Sequence, residues 1–172
     1  MEGFSIRTAT EKDAGLIAVL GATTFYEAYF EQDEPKVLTD YIVDSFSVEK
    51  IRDELADPNS SFYVADLNDR AIGYARLIRD SRLASVEGDR VVELRRIYLV
   101  ERHWGKRFGE KLLFHCIDEG RRFDADTLWL TVWWKNTRGI SFYRRHGFAR
   151  VGTLEFKFGD FEETNDIMQL TL

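Results

Sequence analysis

Cysteine is almost missing from this chain: Cys116 is the single one in 172 residues, so neither an intrachain disulfide nor a cysteine-built metal cluster can form. Histidine is scarce, and His103, His115 and His146 lack metal-ligand spacing, so no metal is expected. No apolar run approaches the length of a membrane span. The opening MEGFSIRTATEKD lacks the apolar core of a signal peptide. The cytoplasm is therefore the expected compartment, with no membrane partner. Basic residues are outnumbered, 24 against 30 acidic, for a net charge of −6. That balance argues against general nucleic-acid binding and is compatible with a cationic small molecule. Repeats and low-complexity tracts are missing too.

What is present is core-forming material. Apolar residues make up 44% of the chain and aromatics 14%, over a length that suits one well-buried domain and is short for two. One domain covering residues 1–172 is expected.

The organising stretch is 91–122, where a β-branched and aliphatic run, a loop with Gly105 and Gly109, and a helix-period segment follow one another without proline. Phe108, Leu112 and Cys116 recur every four residues beside Leu113 and Ile117, giving one apolar stripe that faces a sheet. Arg102, Lys106, Arg107 and Lys111 crowd the start of that helix, where the macrodipole favours negative charge. An anion such as phosphate, bound by first-turn N–H groups, would relieve the conflict. Solvated surface charge is the alternative. Two phosphate-binding loops are excluded by spacing. Gly105 and Gly109 are four apart and followed by Glu110, which is no P-loop, and Arg107 stands where a dinucleotide fingerprint needs glycine.

Around this stretch the chain reads as a mixed α/β fold. Phe4, Ile6 and Thr8 alternate as a short edge strand, and Thr10 with Asp13 resembles a capping box opening a helix to Phe25. The segment TTFYEAYFEQDEP follows, with Pro35 ending or restarting the helix. A helix over 37–44 and another capped by Ser47 lead to two strands joined at Asn68, Asp69 and Arg70. A polar loop over 81–89 precedes the organising strand. After its helix, residues 126–133 alternate Leu128, Leu130 and Val132 against Trp129, Thr131 and Trp133. Strand, helix and strand in succession imply a parallel pair, with ligands beyond the strands' carboxyl ends. A helix over 136–146, a turn at Gly147 and antiparallel strands complete a mixed, mostly antiparallel sheet with helices on both faces.

The segment 94–113 and the later NTRGISFYRRHGF, 136–148, resemble the GNAT superfamily of N-acetyltransferases. In that family a strand leads into a loop of pattern Q/R-x-x-G-x-G/A, and a later Asn is followed by Tyr seven residues on and then by GF. Within it, TFYEAYFEQDEP, IYLV, LWLTVWWKN and FGDFEETNDIM most resemble PaiA-type spermine/spermidine acetyltransferases. The resemblance covers nearly the whole chain. It departs from the loop pattern at Trp104, in place of Gln or Arg, and at Arg107, in place of the first glycine.

The resemblance implies acetyl-CoA as co-substrate. Its pyrophosphate falls to Trp104, Gly105, Lys106, Arg107, Phe108, Gly109 and Glu110, and its thioester to the backbone of Ile97, Tyr98 and Leu99. Asn136 and Tyr143 complete the cofactor set. Asn136 is also a natural N-cap. Tyr143 matches the family's proton donor to the coenzyme A sulfur; a core aromatic beside Phe142 is the other reading. Glu93, on the organising strand, is a candidate base acting through water, or else a salt-bridge partner of Arg95 or Arg96. Glu27, Glu31, Asp33 and Glu34 are candidates to attract an amine, against an ordinary wet helix face. The expected function is acetyl transfer from acetyl-CoA to a primary amine of a small molecule such as spermidine or spermine. A non-catalytic CoA-binding or regulatory module is the alternative. The aromatic C-terminal strands raise a homodimer as an expectation.

Overall fold

The computed structural model describes residues 3–31, 34–158 and 161–172. Its elements run β1 (Phe4–Thr8), α1 (Ala14–Tyr29), α2 (Pro35–Ser45), α3 (Val48–Ala56), β2 (Ser60–Leu67), β3 (Arg70–Arg79) and β4 (Val91–Leu99). They continue with α4 (Phe108–Arg122), β5 (Thr127–Trp133), α5 (Thr137–Arg145), β6 (Ala149–Phe158) and β7 (Phe161–Thr171). Among the described residues the strands form one seven-stranded sheet in the order β1-β2-β3-β4-β5-β7-β6. β4 and β5 run parallel through Val91, Val92 and Glu93 against Thr127, Leu128 and Trp129. The ladders β1–β2, β5–β7 and β6–β7 are antiparallel. Among the described residues no helix is long and apolar enough to cross a membrane.

Contacts gather the chain into two compact units, residues 1–77 with 96–116 and residues 78–95 with 117–172. In the first, Asp13 accepts hydrogen bonds from the Thr10 backbone N–H at 2.8 Å and from the Thr10 hydroxyl at 3.1 Å. Asp thus serves where a capping box usually has Glu. The first turn is a 3-10 turn over Glu11–Asp13, after which α1 buries Ile17, Ala18, Leu20 and Phe25. Pro35 restarts the chain at the first position of α2, where a missing N–H costs nothing. Ser47 caps α3 by accepting from the Lys50 N–H at 3.2 Å. Asn68 and Asp69 both take left-handed φ, +50° and +60°, the pair of values that joins β2 and β3 through a two-residue hairpin turn.

This unit also holds a buried charge cluster. Glu54 of α3 meets Arg96 of β4 at 2.6 Å and Arg76 of β3 at 2.7 Å. Arg96 takes the second Glu54 oxygen at 3.1 Å and lies over the Phe46 ring. Arg76 lies over Phe62 and donates to the Ser60 hydroxyl. These bonds tie α3 to two strands.

In the second unit, Leu128, Trp129, Leu130 and Val132 of β5 are all buried. Trp129 lies on the face opposite Leu128, Leu130 and Val132, as the alternation implies. The 81–89 loop covers it: Val86, Val91, Trp129 and Ile167 form a small core, with Leu83 and Val151 packed against it. The indole N–H of Trp129 donates to the Ser81 carbonyl at 2.8 Å. Gly147, at φ +89°, ends α5 in the left-handed conformation expected of it.

Candidate active site

In the first unit, β4 runs into a 3-10 turn, Glu101–His103, and then into the loop that opens α4. Three contacts fix this passage. The Val100 N–H donates to the Ile72 carbonyl at 2.9 Å, and the Glu101 N–H donates to a Glu27 carboxylate oxygen at 2.8 Å. Trp104 turns its indole N–H back onto the Leu99 carbonyl at 2.7 Å. Glu27 therefore uses an oxygen to anchor the loop to α1, and Trp104 staples the loop to the end of β4.

Beyond Trp104 the backbone turns left-handed twice, at Gly105 with φ +73° and at Arg107 with φ +64°. Arg107 occupies the place of a family glycine and keeps a glycine-like conformation, which costs an L-residue about 1–2 kcal/mol. A side chain at Gly105 would meet nothing within 4 Å, so that face is open. Phe108 is buried and stacks on Phe4 at 5.0 Å between ring centroids, which plants the first turn of α4 in the core. Gly109 sits against Leu99, where a Cβ would lie 3.4 Å from its Cδ1. The leading N–H groups of α4 lack intrahelical acceptors, as in any helix, and the exposed Lys106 and Arg107 flank them. Glu110 is half-buried in that first turn. Lys111, also counted among the loop cations in the sequence, places its ammonium 5.2 Å from the Phe4 ring. Burial first, then the charges of Lys106 and Arg102, hold the His103 imidazole below its ordinary pKa. It is neutral at pH 7 and adds no charge to the loop.

Ile97 and Tyr98 are half-buried and Leu99 is buried. Tyr98 packs edge-on to Tyr74 and Phe46, and burial pushes its phenol well above the ordinary value. Its side chain serves the core, leaving its backbone as the part open to a ligand role. Glu31 follows α1 and is exposed, as is Glu34 before α2. Asp33 lies outside the described residues.

In the second unit, Asn136 caps α5, its side-chain oxygen accepting from the Gly139 N–H at 2.8 Å. A Cβ on Gly139 would lie within 3.0 Å of that side chain, so the cap requires glycine there. Tyr143 is half-buried and contacts Phe142 and Phe148, with ring centroids 5.4 and 5.6 Å away. Glu93 is 1% exposed. Arg95, not Arg96, is its ion-pair partner, at 2.9 Å. The Ser81 hydroxyl donates to the other carboxylate oxygen at 2.6 Å. Sequence reading passed over Ser81, which lies twelve residues upstream of Glu93 in a loop of polar residues. No motif or period singles it out.

These elements carry the pattern of an acetyltransferase, and comparison with known proteins agrees. The pattern of the Acetyltransferase (GNAT) family matches residues 22–148, and the chain belongs to that family, whose co-substrate is acetyl-CoA. An uncharacterized N-acetyltransferase from the pepI 3′ region of Lactobacillus delbrueckii subsp. lactis is 26% identical over 172 residues, 100% of this chain and 99% of the relative. One from Mycobacterium tuberculosis is 30% identical over 156 residues, 91% of this chain and 96% of the relative. Among solved structures, the PaiA N-acetyltransferase of Thermoplasma acidophilum in complex with coenzyme A has a TM-score of 0.79 at 21% identity, covering 98% of this chain and 99% of that one. A chimera of the spermidine N-acetyltransferase SpeG from Vibrio cholerae and hSSAT scores 0.70 at 19% identity, covering 99% and 96%. The ribosomal-protein-S18-alanine N-acetyltransferase of Escherichia coli scores 0.71 at 18% identity, covering 98% and 93%. At these identities the structures show the shared fold.

Proposed function

We propose that this acetyltransferase moves the acetyl group of acetyl-CoA onto a primary amine of a small polyamine, such as spermidine or spermine, by direct attack. The observation that carries the cofactor half of this reading is the loop at Gly105 and Arg107. Its backbone is left-handed at both positions although Arg107 is no glycine, and backbone N–H groups bind phosphate irrespective of side chain. We assign the pyrophosphate to the first turn of α4 from Phe108 to Glu110, with Lys106 and Arg107 adding charge. The N–H groups of Ile97, Tyr98 and Leu99, past the end of the parallel ladder, are assigned to the thioester carbonyl and pantetheine, and Asn136 to a further cofactor contact.

Bound acetyl-CoA supplies an activated thioester. Glu93 takes a proton through water from the substrate ammonium, which frees the amine lone pair for attack, and Tyr143 gives its own proton to the departing sulfur. The polyamine half of the reading is supported by the name of one structural neighbour, the spermidine N-acetyltransferase chimera, and by the resemblance of the sequence to PaiA-type spermine/spermidine acetyltransferases. The exposed Glu31, near Glu27 in sequence, supplies negative charge for a cationic acceptor. The S18-alanine enzyme shows that the same fold serves a different acceptor, so the acceptor must be tested directly.

Calorimetric titration with acetyl-CoA, followed by thiol release in the presence of spermidine or spermine, is the test. Saturable binding and polyamine-dependent thiol release are expected. Folded protein that binds no acetyl-CoA would return the chain to a regulatory role. Binding without polyamine turnover would overturn the acceptor alone.

Arg107 gives a second check. Arg107→Gly is expected to raise the unfolding free energy by about 1 kcal/mol, because glycine carries no left-handed penalty. Acetyl-CoA binding should weaken several-fold as the charge-assisted contact is lost. An unchanged Kd would remove the guanidinium from the site.

A further inference from the structure

A buried carboxylate is costly unless hydrogen bonds compensate it, and among the described residues each Glu93 oxygen has one donor. Oε1 is held by Arg95 at 2.9 Å, yet the Arg95 side chain is 51% exposed, so solvent weakens that contact. Oε2 is held by the Ser81 hydroxyl at 2.6 Å. Serine has a single rotatable side-chain bond to its oxygen, and its own backbone is pinned: the Trp129 indole N–H donates to the Ser81 carbonyl at 2.8 Å. Trp129 is 2% exposed within the core of Val86, Val91 and Ile167. A rigid line thus runs from a packed indole through Ser81 to one oxygen of Glu93.

The geometry points to Ser81 as the residue that positions the Glu93 carboxylate for proton acceptance. The inference rests on the reading of Glu93 as base. An ionised carboxylate has about four lone-pair sites, so one bond from Ser81 and one from Arg95 leave others for a water. The balance of the step is simple. The ammonium loses its proton to water, the water passes a proton to Glu93, and the Ser81 proton stays on Ser81. Ser81 fixes which way the carboxylate faces; it does not exchange protons with the acceptor. Glu93 and Trp129 are opposite one another in the parallel register of β4 and β5, which explains how one loop residue bonds both.

A double-mutant cycle in kcat tests this, with thermal melting of every variant. Glu93→Gln is expected to lower kcat about 100-fold. Ser81→Ala should lower it about 10-fold with KM for acetyl-CoA unchanged, and Ser81→Thr, which keeps a hydroxyl, should recover most of the loss. In the Glu93→Gln background, Ser81→Ala should cost nothing further, since a positioning residue has nothing left to position. Two outcomes overturn the assignment while sparing the base: Ser81→Ala with normal kcat, whether or not its melting temperature falls, and losses that multiply in the double variant. Near-normal kcat in Glu93→Gln would overturn the base itself and the role of Ser81 with it.

Discussion

Replacing Glu54 by Ala is expected to lower the unfolding free energy by about 3–5 kcal/mol, the usual cost of stranding a buried charge. The reason lies in stoichiometry. One carboxylate serves two guanidiniums, Arg76 at 2.7 Å and Arg96 at 2.6 Å. The side chains of Arg76 and Arg96 are only 9% and 11% exposed, so water cannot replace the lost partner without opening the packing of α3 on β3 and β4. The ring faces of Phe62 and Phe46 under the two arginines offset part of the charge. They supply no hydrogen-bond acceptor in the guanidinium plane. Urea denaturation measures the effect. A loss under about 1 kcal/mol would mean that the arginines reach solvent once freed, and the cluster would then be an ordinary surface pair. Converting Glu54, Arg76 and Arg96 together to apolar residues of similar volume should recover much of the stability, because the desolvation cost disappears along with the pairing.

That cluster also marks where sequence reading stops. Local signals carried far. The four-residue recurrence of Phe108, Leu112 and Cys116 became a wholly buried stripe, since helix periodicity needs no knowledge of the partner surface. Thr10 with Asp13, Ser47, Asn136 and Gly147 acted within a few residues of themselves, so caps and turns were legible too. Arg96 was different. It stands three residues from Glu93, yet pairs with Glu54, 42 positions away, and nothing local distinguishes it from Arg95. Ser81, and the loop-anchoring role of Glu27, which the sequence offered only as an amine candidate, were hidden for the same reason: their partners are Glu93 and the backbone of Glu101, 12 and 74 residues distant. Alternation gave Trp129 a face without saying what covers it, and Leu83 and Val86 in a polar loop do the covering. The motif residues offered themselves as candidates because they recur at fixed spacing, while the contacts that hold Glu93 and the loop after β4 were hidden by chain distance.

Tyr143→Phe is expected to reduce kcat about 100-fold, within the range for loss of a positioned proton donor, while KM for acetyl-CoA and thermal stability change little. The substitution isolates the hydroxyl. The ring that contacts Phe142 and Phe148 remains, and so does the backbone carbonyl that accepts from the His146 and Phe148 N–H groups at 3.0 and 3.1 Å. A residue that serves only the core would lose at most about 1 kcal/mol of stability with the hydroxyl gone, and turnover would follow stability. A proton donor separates the two readouts. A phenol of ordinary pKa near 10 is close in acidity to an alkyl thiol, so its proton moves to the sulfur with little driving force wasted either way. The need for that proton should fall as the leaving thiol becomes more acidic. An acetyl thioester of an aromatic thiol should therefore narrow the gap between wild type and Tyr143→Phe, whereas a packing defect would slow both donors alike. A loss below about 3-fold with acetyl-CoA would return Tyr143 to the core and leave the departing sulfur to take its proton from water.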